Sequence, residues 1–339
     1  MSRLNEREII DIFAAKLGID ELDDLATLAT TTAAIGAKNN SSNNRNYSCV
    51  LKCDMLVSST DVPPQMKPWQ IARKSMVSCA SDFAAKGIRP EAAMLSLGIP
   101  AGSNRSFVKG LADGFARASK EFGVKIVGGD TNEAAELVID CCMVGFSDKR
   151  KRVMPTRSGA KPGDIVVVSG KFGLPPSGLA ILLKGAHSRV SSGSGNRFAR
   201  RAVDSVLQPS PRQDFGMHLA RYFSASIDSS DGLAISLYEL ARKSNRVDIA
   251  VDSILPVADG VEDFAAENDL DVRELVFHGG EEYEIVATIP KAKFGLACSA
   301  ARRAGIGLHS IGTVVKGSGT VRVGGKPLED RGYTHFAPR

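Results

Sequence analysis

Aspartates at turns that follow strand-like runs are the residues of this sequence best suited to chemistry. A carboxylate at such a turn can ligate a hard cation, and a neighbouring glycine lets a phosphate approach the backbone closely. A magnesium–nucleotide site needs both features. For any single turn a structural role is favoured, since Asp and Gly are the commonest turn residues. The turns are KCDML, ASDFAAKG, GGDTNE and IDSSDG, which contain Asp54, Asp82, Asp130, Asp228 and Asp231.

Motifs of several other enzyme classes are absent from the sequence. The glycine–lysine pairs at 170–171 and 325–326 lack the upstream glycine and the following Ser or Thr of a P-loop. GxGxxG, HExxH and GxSxG do not occur either, which removes the basis for a dinucleotide-binding protein, a zincin or a serine hydrolase. The 6 cysteines form no CxxC pair and have no histidine at zinc-ligand spacing.

The aspartate turns belong to a longer ordered series of motifs that resembles the thiamine-monophosphate kinase family. The series is DMLVSSTDVPPQM, ASDFAAKG, GGDTN, RSGAKPGD, SPR, IDSSDGL, GGEEYEI and GYTHF. This family belongs to the superfamily of aminoimidazole-ribotide synthetase, selenophosphate synthetase and the hydrogenase-maturation dehydratase. The resemblance implies transfer of the γ-phosphoryl of ATP to thiamine monophosphate. It also implies that ATP and several Mg²⁺ ions lie between the amino-terminal domains of a homodimer.

The resemblance further implies roles for single residues. The implied metal ligands are Asp24, Asp54, Asp82, Asp130, Asp228 and Asp231. Gly129, Asp130, Ser230 and the phosphate-binding Arg157 would contact ATP, and Asp130, Asp231 and Arg157 would be catalytic.

Asp61, Glu281 and Tyr333 fall at the implied substrate positions. Glu281 could instead cap a turn, and Tyr333 could pack at the edge of the core. Thiazolium and aminopyrimidine together form a flat cation, for which a carboxylate and an aromatic face are suitable partners. We therefore favour the substrate-binding roles.

The sequence departs from the family pattern at four places. Asp61 stands at the position of a substrate-contacting histidine, Cys79 replaces an asparagine, Lys52 and Cys53 replace a Ser/Thr pair, and GDD is reduced to Asp23–Asp24. The donor site is thus nearly intact, while the acceptor site is altered. Since Lys52 is a cation beside a predicted metal ligand, we hypothesise that it stands in for the charge of a metal ion.

The expected reaction requires no strong general base. The acceptor is a phosphate monoester with a second pKa of about 6 and is already an anion near neutral pH. Accordingly, the 5 histidines share no motif. The obstacle is repulsion between two anions, which Mg²⁺ and Arg157 would offset while donor and acceptor are held in line.

Alternating strand-like and helical segments must position these residues. Helices are expected at 4–17, 69–86 and about 232–243, and a helical apolar stripe runs from Phe107 to Phe122. Strands are expected at 49–57, 124–129, 136–146, 164–170, 247–252, 283–289 and 309–315, and loops at 37–48 and 191–196. This alternation predicts an α/β (α+β) protein. The resemblance implies an aminoimidazole-ribotide-synthetase-like fold with a mixed sheet and helices in each domain.

Length and connector composition predict two domains. A chain of 339 residues exceeds the size at which single cores stop growing, about 250–300 residues. A basic, proline-containing connector at 147–163 separates the two patterned regions. We expect an amino-terminal domain at 1–148 for ATP, Mg²⁺ and dimerisation, and a substrate-binding domain at 149–339.

Net charge and hydropathy limit the partners and the cellular location that can be expected. The net charge is only +5, and the one dense basic run, KRKR at 149–152, has no interleaved aromatics, so a solvated linker is favoured over a nucleic-acid patch. No window approaches the ~18 apolar residues of a membrane span. We expect a cytoplasmic protein without membrane or nucleic-acid partners. Aminoimidazole-ribotide synthetase activity and a non-catalytic nucleic-acid-binding module stay as alternatives.

Overall fold

Two mixed β-sheets, each packed with helices, form the fold. The computed structural model describes residues 5–17, 19, 23–29, 47–148, 154–186, 194–252 and 256–335. Within these ranges no helix combines the length and the apolar character needed to span a membrane. The mixed α/β fold class predicted from the sequence is confirmed.

The first sheet has five strands in the order β1-β2-β5-β3-β4. They are β1 Ala26–Ala29, β2 Tyr47–Val57, β3 Pro90–Ile99, β4 Lys125–Glu133 and β5 Val138–Asp148. Only β3 and β4 pair in parallel. Burial alternates along β5, as expected for a sheet with one covered face. The helices of this part are α1 Glu6–Leu17, α2 Ser58–Asp61, α3 Pro68–Lys86 and α4 Arg105–Phe122.

The second sheet has seven strands in the order β12-β11-β8-β10-β6-β9-β7. The strands are β6 Ile165–Val168, β7 Ala225–Ser229, β8 Val247–Val251, β9 Glu284–Ile289, β10 His309–Lys316, β11 Val321–Val323 and β12 Lys326–Pro327. The helices are α5 Leu174–Lys184, α6 Ser194–Leu207, α7 Gln213–Leu219, α8 Leu233–Lys243, α9 Val261–Glu267 and α10 Lys291–Ala304. A 3₁₀ turn at Ala220–Tyr222 and a π-helical turn at Glu274–His278 complete this part.

Helix α3 joins the two sheets. Pro68 occupies its first turn, where the missing N–H costs nothing, and Gly87 ends it in the left-handed conformation at φ 63°. The helix contacts β2 and β5 of the first sheet and β7 and β9 of the second. Its carboxyl end is tied to β7, because Ser226 donates to the carbonyl of Ala85 and Lys86 donates to the carbonyl of Ser226, each at 2.7 Å. Polar side chains on α3 can therefore reach both sheets.

Most predicted elements are confirmed within one to four residues, including the buried stripe of α4. Two loop predictions need correction. Residues 194–196 begin α6 and residues 47–48 begin β2, because pairing and packing extend these elements into polar sequence. The remainders of those loops, 191–193 and 37–46, lie outside the described residues, as do 149–153. The division into domains at 148/149 stays a prediction.

The ion pairs of Lys86 provide a test of how α3 is held. Lys86 is fully buried and lies 2.7 Å from Asp23 and 2.8 Å from Asp24. Replacing it with methionine (Lys86→Met) leaves both carboxylates without this partner, so we expect a loss of about 3–5 kcal/mol in the free energy of unfolding. Urea unfolding followed by circular dichroism measures this loss. Lys120→Met, on the exposed face of α4, is the control, and equal unfolding midpoints for the two variants would contradict the assignment.

Candidate active site

A cavity of about 750 Å³ lies between the two sheets. Strand β2 contributes Lys52 and Asp54, α3 contributes Lys74 and Asp82, and the loop before β9 contributes Glu281. Nine of the twelve predicted site residues line it, namely Asp54, Asp61, Asp82, Arg157, Asp228, Ser230, Asp231, Glu281 and Tyr333. Residues far apart in the sequence therefore converge on one space.

Three carboxylates meet in a buried cluster at one side of this cavity. Asp24, Asp82 and Asp228 each place an oxygen within 4.8 Å of the others. They come from three separate elements, since Asp24 precedes β1, Asp82 lies in α3 and Asp228 lies in β7. Oxygen donors at this spacing are the ligands that Mg²⁺ prefers. The donor set therefore fits the predicted metal.

Three cations hold the acidic groups together. Lys52 Nζ lies 2.8 Å from Asp82 and 3.8 Å from Asp54, while Lys86 pairs with Asp23 and Asp24. Arg157 donates from Nε to Asp24 at 2.6 Å, and its Nη2 forms a second contact with the same carboxylate. The predicted phosphate-binding arginine is thus already paired with a predicted metal ligand.

Burial raises the pKa of the site carboxylates, and neighbouring cations reverse this effect at Asp24. For Asp24, burial favours the neutral form, but the charges of Lys86 and Arg157 outweigh it and lower the pKa. Burial raises the pKa of Asp82 well above its ordinary value even though Lys52 opposes the change. Burial also raises the pKa of Asp228 to about 6 and that of Asp231 to about 7, and nearby negative charges add to both shifts. No lysine or arginine of the described residues lies at ion-pair distance from Asp228 or Asp231.

Glu281 lines the same cavity, next to Ser230 and Asp231. One carboxylate oxygen accepts a hydrogen bond from Lys74 Nζ at 2.8 Å, while the other is buried and has no hydrogen-bond partner among the described residues. Its backbone φ is +69°, a left-handed conformation that is uncommon outside glycine and often marks functional sites. The Glu281 amide donates to the carbonyl of Ser230 at 2.6 Å, which fixes the turn against the Asp231 loop.

The two other predicted substrate residues occupy different settings. Tyr333 is 44% exposed, its amide donates to the carbonyl of Asp231 at 2.9 Å, and its ring meets His335 edge-on at 5.0 Å. An exposed ring face at the cavity can stack on a flat ligand. Asp61 instead accepts a hydrogen bond from the Val57 amide at 2.7 Å through one carboxylate oxygen. Part of its hydrogen-bonding capacity therefore stabilises the short helix α2.

Three predicted residues do not line the cavity. Asp24 belongs to the buried cluster behind its wall, whereas Gly129 and Asp130 lie on the edge strand β4. Asp54 and Gly129 are in register across the first sheet, but their strands are three strand spacings apart. At ~4.8 Å per spacing, their backbones are separated by about 14 Å. A Cβ at position 129 would come within 1.9 Å of the Leu95 carbonyl, so close strand packing alone requires this glycine.

Helix α3 carries three further site residues, Lys74, Ser78 and Lys86, that the sequence motifs did not predict. Lys74, Ser78, Asp82 and Lys86 recur every fourth position and therefore lie along one face of the helix. Lys74 binds Glu281, and Lys86 binds Asp23 and Asp24. A polar residue at every fourth position of a largely apolar helix was the available signal.

Comparisons with known proteins agree with this geometry. Residues 30–147 match the family model described as AIR synthase related protein, N-terminal domain. The chain is 38% identical over 340 residues to the thiamine-monophosphate kinase of Nitrosopumilus maritimus, covering 99% of this chain and 100% of that protein. It is 35% identical to the thiamine-monophosphate kinase of Pyrococcus horikoshii, covering 87% and 85%. Among solved structures, AaThiL complexed with AMPPCP and TMP matches with a TM-score of 0.83 at 27% identity, over 99% of both chains.

The family model gives residues 30–147 as an AIR-synthase-related amino-terminal domain, and the structure adds a second mixed sheet with an acidic cavity between the two sheets. Within that class, the chain belongs to the thiamine-monophosphate kinase family. The resemblance carried by the sequence motifs is confirmed.

The raised pKa of Asp231 gives a pH-dependent prediction. The folded-state pKa of Asp231, about 7, exceeds its ordinary value of 3.8. The contribution of this group to the free energy of unfolding is therefore fully present below about pH 4 and is lost as the pH rises through 7. In EDTA, the wild-type melting temperature should fall between pH 5 and pH 8. The melting temperature of Asp231→Asn should fall by several degrees less over the same range. The melting temperature of the control Asp113→Asn, at an exposed position, should change as that of the wild type does. Parallel curves for Asp231→Asn and wild type would contradict the shift.

Proposed function

We propose that this protein transfers the γ-phosphoryl of ATP to thiamine monophosphate, forming thiamine diphosphate and ADP in a direct, magnesium-dependent step. The observation that carries the proposal is a single cavity that brings together Asp82 and Asp228 of the buried acidic cluster with Glu281 and Tyr333. The relatives named thiamine-monophosphate kinase, and the AaThiL complex with AMPPCP and TMP, support it. The same relatives favour this activity over that of an aminoimidazole-ribotide synthetase.

The acidic side of the cavity would bind the nucleotide and Mg²⁺. We infer that Asp54, Asp82, Asp228 and Asp231 hold the metal, with Asp24 behind them. Bound Mg²⁺ would neutralise the phosphates and lower their mutual repulsion. Arg157 retains 23% exposure and has five N–H donors, so it can bind a phosphate oxygen while it pairs with Asp24.

Ser230 lies just before the first turn of α8, where the helix N-terminus favours an anion. Its position in the cavity wall supports the predicted contact with ATP.

The part of the cavity around Glu281 and Tyr333 would hold the acceptor. The unpaired oxygen of Glu281 can accept a hydrogen bond from an amino group, and its charge favours a cationic ring. The exposed ring of Tyr333 offers a flat surface for the same ligand. Asp61, beside Lys74 in this part of the cavity, would complete the substrate site. An acceptor held here would direct its phosphate towards the acidic cluster.

Glu281→Gln tests the acceptor site separately from the donor site. The variant keeps the shape but removes the charge, which is worth about 1.5 kcal/mol for a charged hydrogen bond, so KM for thiamine monophosphate should rise roughly tenfold. KM for ATP should stay within about twofold. The exposed Glu262→Gln on α9 is the control. Equal increases in both KM values would place Glu281 outside the acceptor site.

A homodimer would account for the position of Asp130. Leu28, Met55, Met94 and Phe146 lie on the outer face of the first sheet and are 43–60% exposed. An apolar sheet face of this kind favours burial against a second copy. Asp130 pairs in register with Ser96 and so lies on this outer face, opposite to Asp54. We infer that Asp130 and Gly129 act in the site of the partner copy.

The direct test measures product formation with purified protein. With ATP, Mg²⁺ and thiamine monophosphate, we expect thiamine diphosphate and ADP in equal amounts. Neither should form when the acceptor is omitted or replaced by the aminoimidazole-ribotide precursor. Absence of thiamine diphosphate under these conditions would refute the proposed activity.

Mixing two inactive variants tests whether Asp130 acts across the dimer. Asp130→Asn and Asp228→Asn should each be inactive alone, whereas Asp113→Asn should be fully active. After mixing and subunit exchange, half of the dimers contain one intact site, which restores about a quarter of wild-type activity. No recovery in verified mixed dimers would place Asp130 in the site of its own chain, or outside the site altogether.

The remaining inferences concern location and partners. We propose a cytoplasmic enzyme, since ATP and Mg²⁺ are its implied ligands and the cysteines of the described residues are all free thiols, which is typical of a reducing compartment. We propose no nucleic-acid partner, and the KRKR segment lies outside the described residues.

A further inference from the structure

We propose that Lys52 is a built-in cation of the donor site. Its ammonium group takes the place of one divalent ion between Asp54 and Asp82, so the site binds one ion fewer with its nucleotide than its carboxylates would otherwise hold. The inference rests on the proposed function, because it concerns the metal count of a nucleotide site.

The position of Lys52 Nζ carries the argument. It lies 2.8 Å from Asp82 and 3.8 Å from Asp54, and both of these carboxylates line the cavity. Mg²⁺ binds carboxylate oxygens at about 2.1 Å, so an ion held by Asp82 on its Asp54 side would need the space that the ammonium group fills. Lysine and metal therefore exclude each other at this point.

Strand register keeps Lys52 in that position. Asp54 and the buried Leu56 follow Lys52 at alternate positions of β2, so all three side chains share the covered face. Pairing of β2 with β5 is continuous from Tyr47 to Val57. A shift by one residue would turn the side chain of Cys53 inwards in place of Lys52 and would move Asp54 away from the cavity. The register therefore keeps the stem of Lys52 on the face of the sheet that carries Asp54.

Lys52 differs from the other two cations, Lys86 and Arg157, in the carboxylates that it neutralises. Lys86 is fully buried against Asp23 and Asp24, and Arg157 pairs with Asp24 and, at 3.7 Å, with Glu239. Both neutralise charge behind the cavity wall or at its edge. Lys52 alone of the three contacts Asp54 and Asp82. Within the described chain, Asp228 and Asp231 have no lysine or arginine at ion-pair distance, so that side is left for divalent ions.

An ammonium group differs from the ion that it replaces in two ways. It carries one charge and three N–H donors, and it accepts no ligand. Lys52 Nζ lies 2.8 Å from Asp82 and 3.8 Å from Asp54, which leaves N–H capacity for a phosphate oxygen entering the cavity. Lys52 would thus contact the nucleotide directly and stay in place when the product leaves. A divalent ion would exchange with solvent instead.

The test counts bound metal and does not depend on turnover. Wild type, Lys52→Met and Lys52→Arg are each titrated with Mn²⁺ in the presence of AMPPCP, and free Mn²⁺ is measured by electron paramagnetic resonance. Lys52→Met should bind one more Mn²⁺ per chain than wild type, whereas Lys52→Arg should match wild type. Lys171→Met removes an ion-paired lysine outside the donor site and is the control. An equal or lower count in Lys52→Met would overturn the inference.

Thermal unfolding gives a second measure if Lys52→Met is too unstable for titration. Mn²⁺ should raise its melting temperature by more than it raises that of wild type, because the ion restores the missing charge. An equal or smaller shift would overturn the inference. If wild type itself binds no Mn²⁺ with AMPPCP, the proposed function fails, and this outcome differs from an unchanged count between the two proteins.

Discussion

Burial of several carboxylates beneath helix α3 is the constraint on which the rest of the structure depends. An ionised group removed from water is costly unless a partner of opposite charge lies against it. Asp24 and Asp82 are almost fully buried, and Lys86, Arg157 and Lys52 provide those partners. Because the partners come from β2, α3 and the connector, satisfying the charges also joins the two sheets.

The same arrangement prepares a site for a nucleotide. Cations neutralise the Asp24 side, whereas Asp228 and Asp231 face the cavity with raised pKa values and no ion-paired lysine or arginine among the described residues. Ionisation of these two carboxylates is therefore disfavoured in the folded protein until a cation lies against them. A divalent cation brought with ATP would complete the balance, which links metal binding to both stability and phosphoryl transfer.

The sequence motifs predicted the chemistry of the site better than they predicted which residues belong to it. Asp54, Asp82, Asp228 and Glu281 could be named because each follows a recognisable turn or motif, and all of them line the cavity. Lys74 and Lys86 were missed because their role depends on which sheet residues face α3, and local sequence does not give that information. Asp130 was predicted from its motif, yet its edge strand holds it about three strands away from Asp54.

The sequence by itself determined the mixed α/β character, most helices and strands, the family and the acidic residues, because periodicity and ordered motifs are local properties of the chain. Only the tertiary structure decided which charges are paired. The inward direction of Lys52 follows from the register of β2 on β5, and the pairing of Arg157 with Asp24 follows from how the two sheets meet. Distances between residues far apart in sequence set these electrostatic energies, so they exist only once the chain has folded.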